Sequence, residues 1–343
     1  MATPMWLCRC RSTKPWLIAW TIAFASAHAT EPPIVGEPID GNRSISVQVD
    51  GCPLTITTTS RLAGAVHSIL WNGQEFIDST DHGRQLQSAC SFDSMSDDRF
   101  WAERYNPTEA GSRRDGAGDR STSKLLGIES SDKQIRSSTK MAFWLFPGES
   151  SQGRRALNAQ PVSNHLLHKR ISLGEFTDPH VILVENTFEW PKEENHRYAQ
   201  FEVLTGYMPY EFSEFWNVSS ASGALLKLDD GPGEQADPVI LSTRDHRFAM
   251  GAIANGHPEW IDSAPGYGRF RFTEEKVVKW NVVFRHRDLP LITKHKASFR
   301  VLVMVGTLEQ VHRAIREALA GKLEMNGCQS HVSRPGIEHS GSP

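Results

Sequence analysis

AVHSILWNGQEFID, residues 65–78, is the stretch on which the reading of the fold turns. Two apolar segments flank Asn72–Gly73, a pair suited to a type I′ turn because both central residues of that turn need positive φ. It reads as a β-hairpin. Working outward, SISVQVD (44–50) and LTITTTS (54–60) alternate apolar and polar residues and are separated by Gly51–Cys52–Pro53. Downstream, KMAFWLF (140–146), NHLLHKRISL (164–173), HVILVENTFEW (180–190) and AQFEVLTGYM (199–208) continue the pattern. So do ALLKLDD (224–230), PVILST (238–243), FAMGAIA (248–254), VVKWNVVFRH (277–286) and SFRVLVMVG (298–306). β-Branched and aromatic residues dominate these runs, as pleated, half-buried strands prefer. One helix is expected, over Thr307–Leu319: Thr307 and Gln310 make a capping box, Leu308, Val311, Ile315 and Leu319 form one apolar stripe, and Gly321 ends it. Many strands with one late helix predict an all-β protein, a large antiparallel β-sandwich closed by one C-terminal α-helix. No fixed-period repeat points to a propeller or solenoid.

The chain has 343 residues, enough for one large all-β domain. Its first residues read as an address. Arg9, Arg11 and Lys14 precede the apolar run WLIAWTIAFASA, and Ala27–His28–Ala29 offers a small-x-small cleavage site. The apolar run is too short to span a bilayer. The organisation expected is a signal peptide over 1–29, a Pro-rich lead-in over 30–43, the β-sandwich over 44–325 and a disordered tail over 326–343. This makes the mature protein secreted or periplasmic, without stable membrane insertion. Removing the leader leaves 34 Lys+Arg against 40 Asp+Glu, a balance of −6, and no basic run, which argues against nucleic acid as a partner. Cys52, Cys90 and Cys328 remain, and sequence does not choose a pairing among them. It does not give the oligomeric state either.

Residues 93–123, DSMSDDRFWAERYNPTEAGSRRDGAGDRSTS, form a long polar connection. Long loops in compact domains carry function or are disordered, and Phe100, Trp101 and Tyr105 need something to pack on, so the segment is expected to fold over a sheet face. Familiar catalytic signatures are missing: no G-x-S-x-G elbow, no H-E-x-x-H and no nucleotide-binding glycine loop. His165 and His168 are three apart, which in a strand puts them on opposite faces and disfavours a shared metal. No cofactor is called for. Asp78, Asp81 and Asp93 could support calcium, but their spacing does not demand it.

What remains is polar and aromatic groups on a β scaffold, a set compatible with hydroxyl-rich ligands. WNGQEFID, then DHGRQLQSA (81–89), then YNPTEAGS (105–112), with the closing VKWNVVFRH and SFRVLVMVGTLEQVHRAIREAL, resembles secreted bacterial proteins of the galactose-mutarotase-like β-sandwich superfamily. The resemblance covers roughly residues 40–325 and implies a supersandwich that binds sugar on its concave sheet face. Mutarotases work with two histidines and a glutamate around the ring. By this resemblance His82 and Glu109 take acid–base parts, and Arg84 resembles the substrate-binding Arg. A second histidine motif and the later glutamate motif are not recognisable in this sequence.

From the residues themselves, Glu109, His82 and Tyr105 are the catalytic candidates. Arg84, Gln87, Asn106, Tyr207, Glu211, His257 and Trp260 are the substrate-binding candidates, with flat rings to cover sugar faces and Arg84 to grip a uronate or hydroxyl pair. In the regular strand after Arg84, Leu86 and Ser88 share one face and Gln85, Gln87 and Ala89 the other. The expected function is a secreted carbohydrate-active protein with a poly- or oligosaccharide as partner. Glycoside hydrolysis by paired carboxylates or lyase chemistry on a uronate is placed first. A non-catalytic periplasmic glycan-binding or structural protein, or a sugar epimerase, is the alternative.

Overall fold

The computed structural model describes residues 39–96, 98–261, 263–287 and 295–326. The proposed signal peptide, most of the lead-in, Cys328 and the tail beyond Asn326 lie outside the described residues.

The hairpin forms as its residues dictate. Val66–Trp71 pairs with Gln74–Glu75, and Asn72 and Gly73 both take positive φ, 48° and 76°. It belongs to a sheet whose strands run, neighbour to neighbour, Arg43–Val49, Cys52–Thr58, Val66–Trp71, Leu86–Phe92, Ala199–Pro209, Val277–His286, Gly266–Phe272 and Gly233–Gln235. A second sheet runs Lys124–Ser130, Gln134–Phe143, Val162–Leu173, Val181–Glu189, Lys296–Gly306, Ala249–Gly256, Val239–Ser242, Glu214–Val218 and Leu225–Lys227. Each of these pairings is antiparallel. The protein is an all-β sandwich.

Rings from the two inner faces interdigitate. Phe201 and Phe284 of the first sheet meet Phe188 and Phe299 of the second, with centroids 5.2–5.4 Å apart for Phe201–Phe299, Phe188–Phe201 and Phe284–Phe299. These phenylalanines are fully buried, and each contributes on the order of 1.5–3 kcal/mol by leaving water.

The helix spans Leu308–Leu319, with the Thr307–Gln310 capping box formed in both directions. Leu308, Val311 and Ile315 bury against the outer face of the second sheet, over Val218, Ile240, Leu302 and Met304. Just after it, Met325 bridges to Phe176, and the Asn326 side chain donates to the carbonyls of Gly174 and Phe176. Asn326, expected in the tail, is therefore docked.

The long connection folds as a stitch between the sheets. Pro107–Thr108 is a two-residue strand, with Thr108 opposite Ala89 of the first sheet and both residues opposite Phe143 and Ala142 of the second. Its aromatics find partners: Phe100 packs on Tyr198 at 4.1 Å, and Trp101 lies under the Arg154 guanidinium at 4.9 Å. The bend in YNPTEAGS thus joins the two layers. Among the described residues, Cys52 and Cys90 are both free thiols.

Candidate functional site

The first sheet presents a polar outer face. In Val277–His286, Lys279, Asn281 and Arg285 alternate with the inward Val278, Trp280, Val282 and Phe284. In Leu86–Phe92, Gln87, Ala89 and Ser91 do the same. Between these two strands lies Ala199–Pro209, where the register shifts against both neighbours just after Glu202. Glu202 and Tyr207 are five residues apart and would point to opposite faces of a regular strand. The bulge brings both to the outer face, a common way of re-aiming side chains at a site.

These side chains line a pocket of about 280 Å³ together with Glu103 and Asn106 from the stitched connection, Trp144 just after the strand Gln134–Phe143, and Glu234 and Phe270. On its floor the Lys279 ammonium lies 2.7 Å from Glu202 Oε1, and Asn281 Nδ2 donates to the same oxygen at 2.6 Å. The pair keeps some exposure to the pocket, 22% for Glu202 and 13% for Lys279. Burial would raise the Glu202 carboxyl, but the ammonium and the carboxamide hold it below its ordinary value. Lys279 is pulled the other way: burial disfavours its charge, yet Glu202 and Tyr207 keep it firmly protonated. The Tyr207 phenol is raised, chiefly by burial. Lys279 also sits over the Tyr207 and Phe270 rings, 5.1 Å from each. At the other end Arg285 grips Glu234 through two bonds of 2.6 and 2.8 Å and donates to Gln200 at 3.0 Å.

The glycines of PGYGRF make this packing possible. A Cβ on Gly268 would lie 2.3 Å from Asn281 Oδ1, which accepts the Gly268 N–H at 3.0 Å. Only a residue without a side chain lets Asn281 stand where it orients Glu202.

Three of the sequence candidates meet here. Gln87, Asn106 and Tyr207 line the pocket. Asn106 Nδ2 donates to Cys90 O at 2.8 Å and Ser91 Oγ at 3.0 Å; Gln87 Nε2 donates to Gly83 O at 2.8 Å. Arg84 pairs with Asp81 at 3.4 Å, and its charge reaches Tyr207.

The catalytic candidates do not meet here, and their placement corrects the expectation for them. Glu109 is 1% exposed, ion-paired with the equally buried Lys169, and accepts the Ser88 N–H at 2.9 Å. Both contacts fall on Oε2, between the layers and away from the pocket. His82 is 2% exposed, with its ring nitrogens 2.8 and 2.9 Å from the carbonyl oxygens of Gly116 and Arg61. Tyr105 points inward, 4.7 Å from Phe143, and burial beside Glu194 pushes its phenol far above the ordinary value.

Three binding candidates also lie elsewhere. Glu211 accepts from Gln74 Nε2 at 2.9 Å beside a separate exposed hollow. His257 borders an open groove on the outer face of the second sheet, where the Glu185 carboxylate pairs with Arg170 and lies 3.6 Å from Arg300. Trp260 packs against the core, its ring edge-on to His286 at 5.0 Å. His165 and His168 fall on opposite faces, His165 buried and His168 40% exposed.

The reading of the sequence missed Glu103, Trp144, Gln200, Glu202, Glu234, Lys279, Asn281 and Arg285. The usable signal was the period-2 run of polar residues in QFEV and KWNVVFR, which marks a polar face on strands that are otherwise core.

The fold is similar to galactose mutarotase-like structures. A galactose mutarotase-like protein from Lactobacillus casei matches at 10% identity with a TM-score of 0.42, over 77% of this chain and all of that one. A galactose mutarotase related enzyme from Lactobacillus acidophilus matches at 9% identity and a TM-score of 0.38, over 77% of this chain and 98% of that one. An alpha-galactosidase from Lactobacillus brevis matches at 8% identity and 0.40, over 82% of this chain but only 42% of that one. Likenesses at this level carry no argument about what the chain does. No protein-family profile matches the sequence, and no curated protein does.

Proposed function

We propose that the protein is a carbohydrate-active protein that seats a sugar in the pocket floored by Glu202 and Lys279. The observation that supports this most is the Glu202–Lys279–Asn281 cluster itself. A fixed carboxylate, a fixed ammonium and a ring of carboxamides (Gln87, Asn106, Gln200) offer acceptors and donors to vicinal hydroxyls, beside the flat faces of Trp144 and Phe270. The volume lies just below the usual range for ligand pockets, about 300–1,000 Å³, which suits one sugar ring or a chain end.

Binding is the primary reading because the charged groups on the floor are locked in one state. Glu202 is held ionised, Lys279 protonated and Tyr207 neutral, whereas an acid–base catalyst works best with a pKa near the working pH. Cleavage of the bound glycan is a second reading, favoured by one observation: Glu103 and Glu202, the latter paired with Lys279, are two carboxylates on the same pocket. Secretion through the N-terminal leader belongs to the same proposal.

The test is a glycan panel with the full chain and its Glu202→Gln variant, following binding by calorimetry together with reducing-end and unsaturated-uronate release. Saturable binding of one glycan class, weakened in the variant, is expected. Product formed by wild type and lost in Glu202→Gln would promote the cleavage reading. No binding to any glycan would overturn the assignment.

A further inference from the structure

Across the backbone from the pocket, on the inward side of Leu86–Phe92, lies a cluster that the sugar reading does not use. His165 Nε2 and His196 Nε2 both converge on Glu194 Oε2, at 2.7 and 3.0 Å. One ligand atom from each of the three residues fits within 4.8 Å of the others. The geometry points to a second site: a two-histidine, one-carboxylate site for a divalent first-row transition ion, bound by His165, Glu194 and His196.

Four features separate this cluster from an ordinary buried ion pair. The ligand set is borderline in softness, two imidazoles and one carboxylate, and suits zinc rather than calcium or magnesium. Both imidazoles are nearly inaccessible, 1% and 2% exposed, whereas Glu194 is 21% exposed. An ion drawn in from the Glu194 side would therefore keep one coordination position toward solvent. The far nitrogens face polar groups, the neighbours that orient metal-binding imidazoles, though the one beside His196 is at ion-pair rather than hydrogen-bond distance. His196 Nδ1 lies 3.6 Å from the Asp93 carboxylate, and His165 Nδ1 lies 3.9 Å from Cys90 Sγ. Finally, Phe92 packs on both imidazoles, 4.5 Å from His196 and 5.1 Å from His165, so the rings are pre-oriented. Ligands at about 2.0–2.2 Å from one ion require the carboxylate to withdraw from the two nitrogens it now touches and the imidazoles to adjust around the ion.

The site ties the connection carrying Glu194 and His196 to the strand Val162–Leu173. It also abuts Tyr105, whose neighbour Asn106 lines the sugar pocket. Its role is to pin that connection. No catalytic step is assigned to it, and it stands whether or not a sugar binds.

The experiment is zinc titration of tag-free, EDTA-dialysed full-length protein by calorimetry, with metal content after gel filtration measured by mass spectrometry. One equivalent of zinc per chain, with a dissociation constant below about 1 µM and a rise in melting temperature on loading, is expected. His196→Ala should weaken binding at least 100-fold. Glu194→Gln, which keeps the side chain's shape, should weaken it at least tenfold, and an apo circular-dichroism spectrum like that of wild type would show that it folds, so the test survives if the histidine variant does not fold. Cobalt loading should give the visible absorption of a four-coordinate site, lost in Glu194→Gln. Substoichiometric zinc in wild type, or one equivalent retained by both variants, would overturn the assignment.

Discussion

Glu109–Lys169 and Glu202–Lys279 are both glutamate–lysine pairs, and they behave differently. Glu109–Lys169 lies between the layers, 1% and 3% exposed, where it ties the short Pro107–Thr108 stitch to Val162–Leu173 of the second sheet. Glu202–Lys279 lies on the outer face of the first sheet, partly open to a pocket. The chemistry of the two is the same and the access is not. A charge taken wholly out of water must be paired for the fold to stand. A pair left at a pocket floor keeps lone pairs and protons to share with a ligand. Residue type therefore says what a group can do, and its solvent access decides whether it does it for the fold or for a ligand.

The largest contrast is expected in stability. Lys169→Met strands the Glu109 carboxylate in the core and should cost on the order of 3–5 kcal/mol in chemical denaturation. The double variant Glu109→Gln/Lys169→Met should regain much of that. A loss below about 1 kcal/mol for the single variant would remove the distinction between the pairs. Glu202→Gln should cost less than Lys169→Met in stability, because its pair keeps access to the pocket, yet weaken glycan binding roughly tenfold, about 1.4 kcal/mol.

Gly268→Ala comes next, since it would displace Asn281 without touching the ligand. Glycan affinity should fall several-fold while the variant still folds. Unchanged affinity would mean that Asn281 does not orient Glu202.

The pH response sharpens the same contrast. The Glu202 carboxyl is held below its ordinary 4.5. Its contribution is therefore fully present above that value and is lost as pH falls through the lower, folded-state value. Glycan affinity titrated by calorimetry should be flat from about pH 5 to 8 and drop only on further acidification. A fall centred near pH 6–7 would point to a histidine instead. The smallest effect is expected at Arg84, whose pairing with Asp81 is part-exposed; Arg84→Ala should cost less than about 1 kcal/mol in denaturation.

Much of the fold was legible because it is written in short-range patterns. Asn72–Gly73 fixes a hairpin, Thr307–Gln310 caps a helix, and period-2 alternation marks strands such as 199–208 and 277–286. Only a smaller part of the pocket lining stood out for the same reason: Gln87, Asn106 and Tyr207 are polar or aromatic residues beside turns or in strands. The rest depends on pairings between distant segments. The sequence shows Glu109 as a carboxylate in a bend, with no local hint that Lys169 would bury against it. It shows Glu202 and Tyr207 at odd separation, so a one-residue bulge was needed to put them together. His165 likewise appears beside His168, while its true partners, Glu194 and His196, come from a connection beyond the next strand.

The most direct test of the central claim is a crystal structure with the glycan selected by the panel. The account predicts a sugar between Trp144 and Phe270, with hydroxyls bonded to Glu202 and Lys279 and the Glu109–Lys169 pair undisturbed beneath. A sugar seated at the Glu211 hollow or in the groove beside His257, with the Glu202 pocket unengaged, would contradict it.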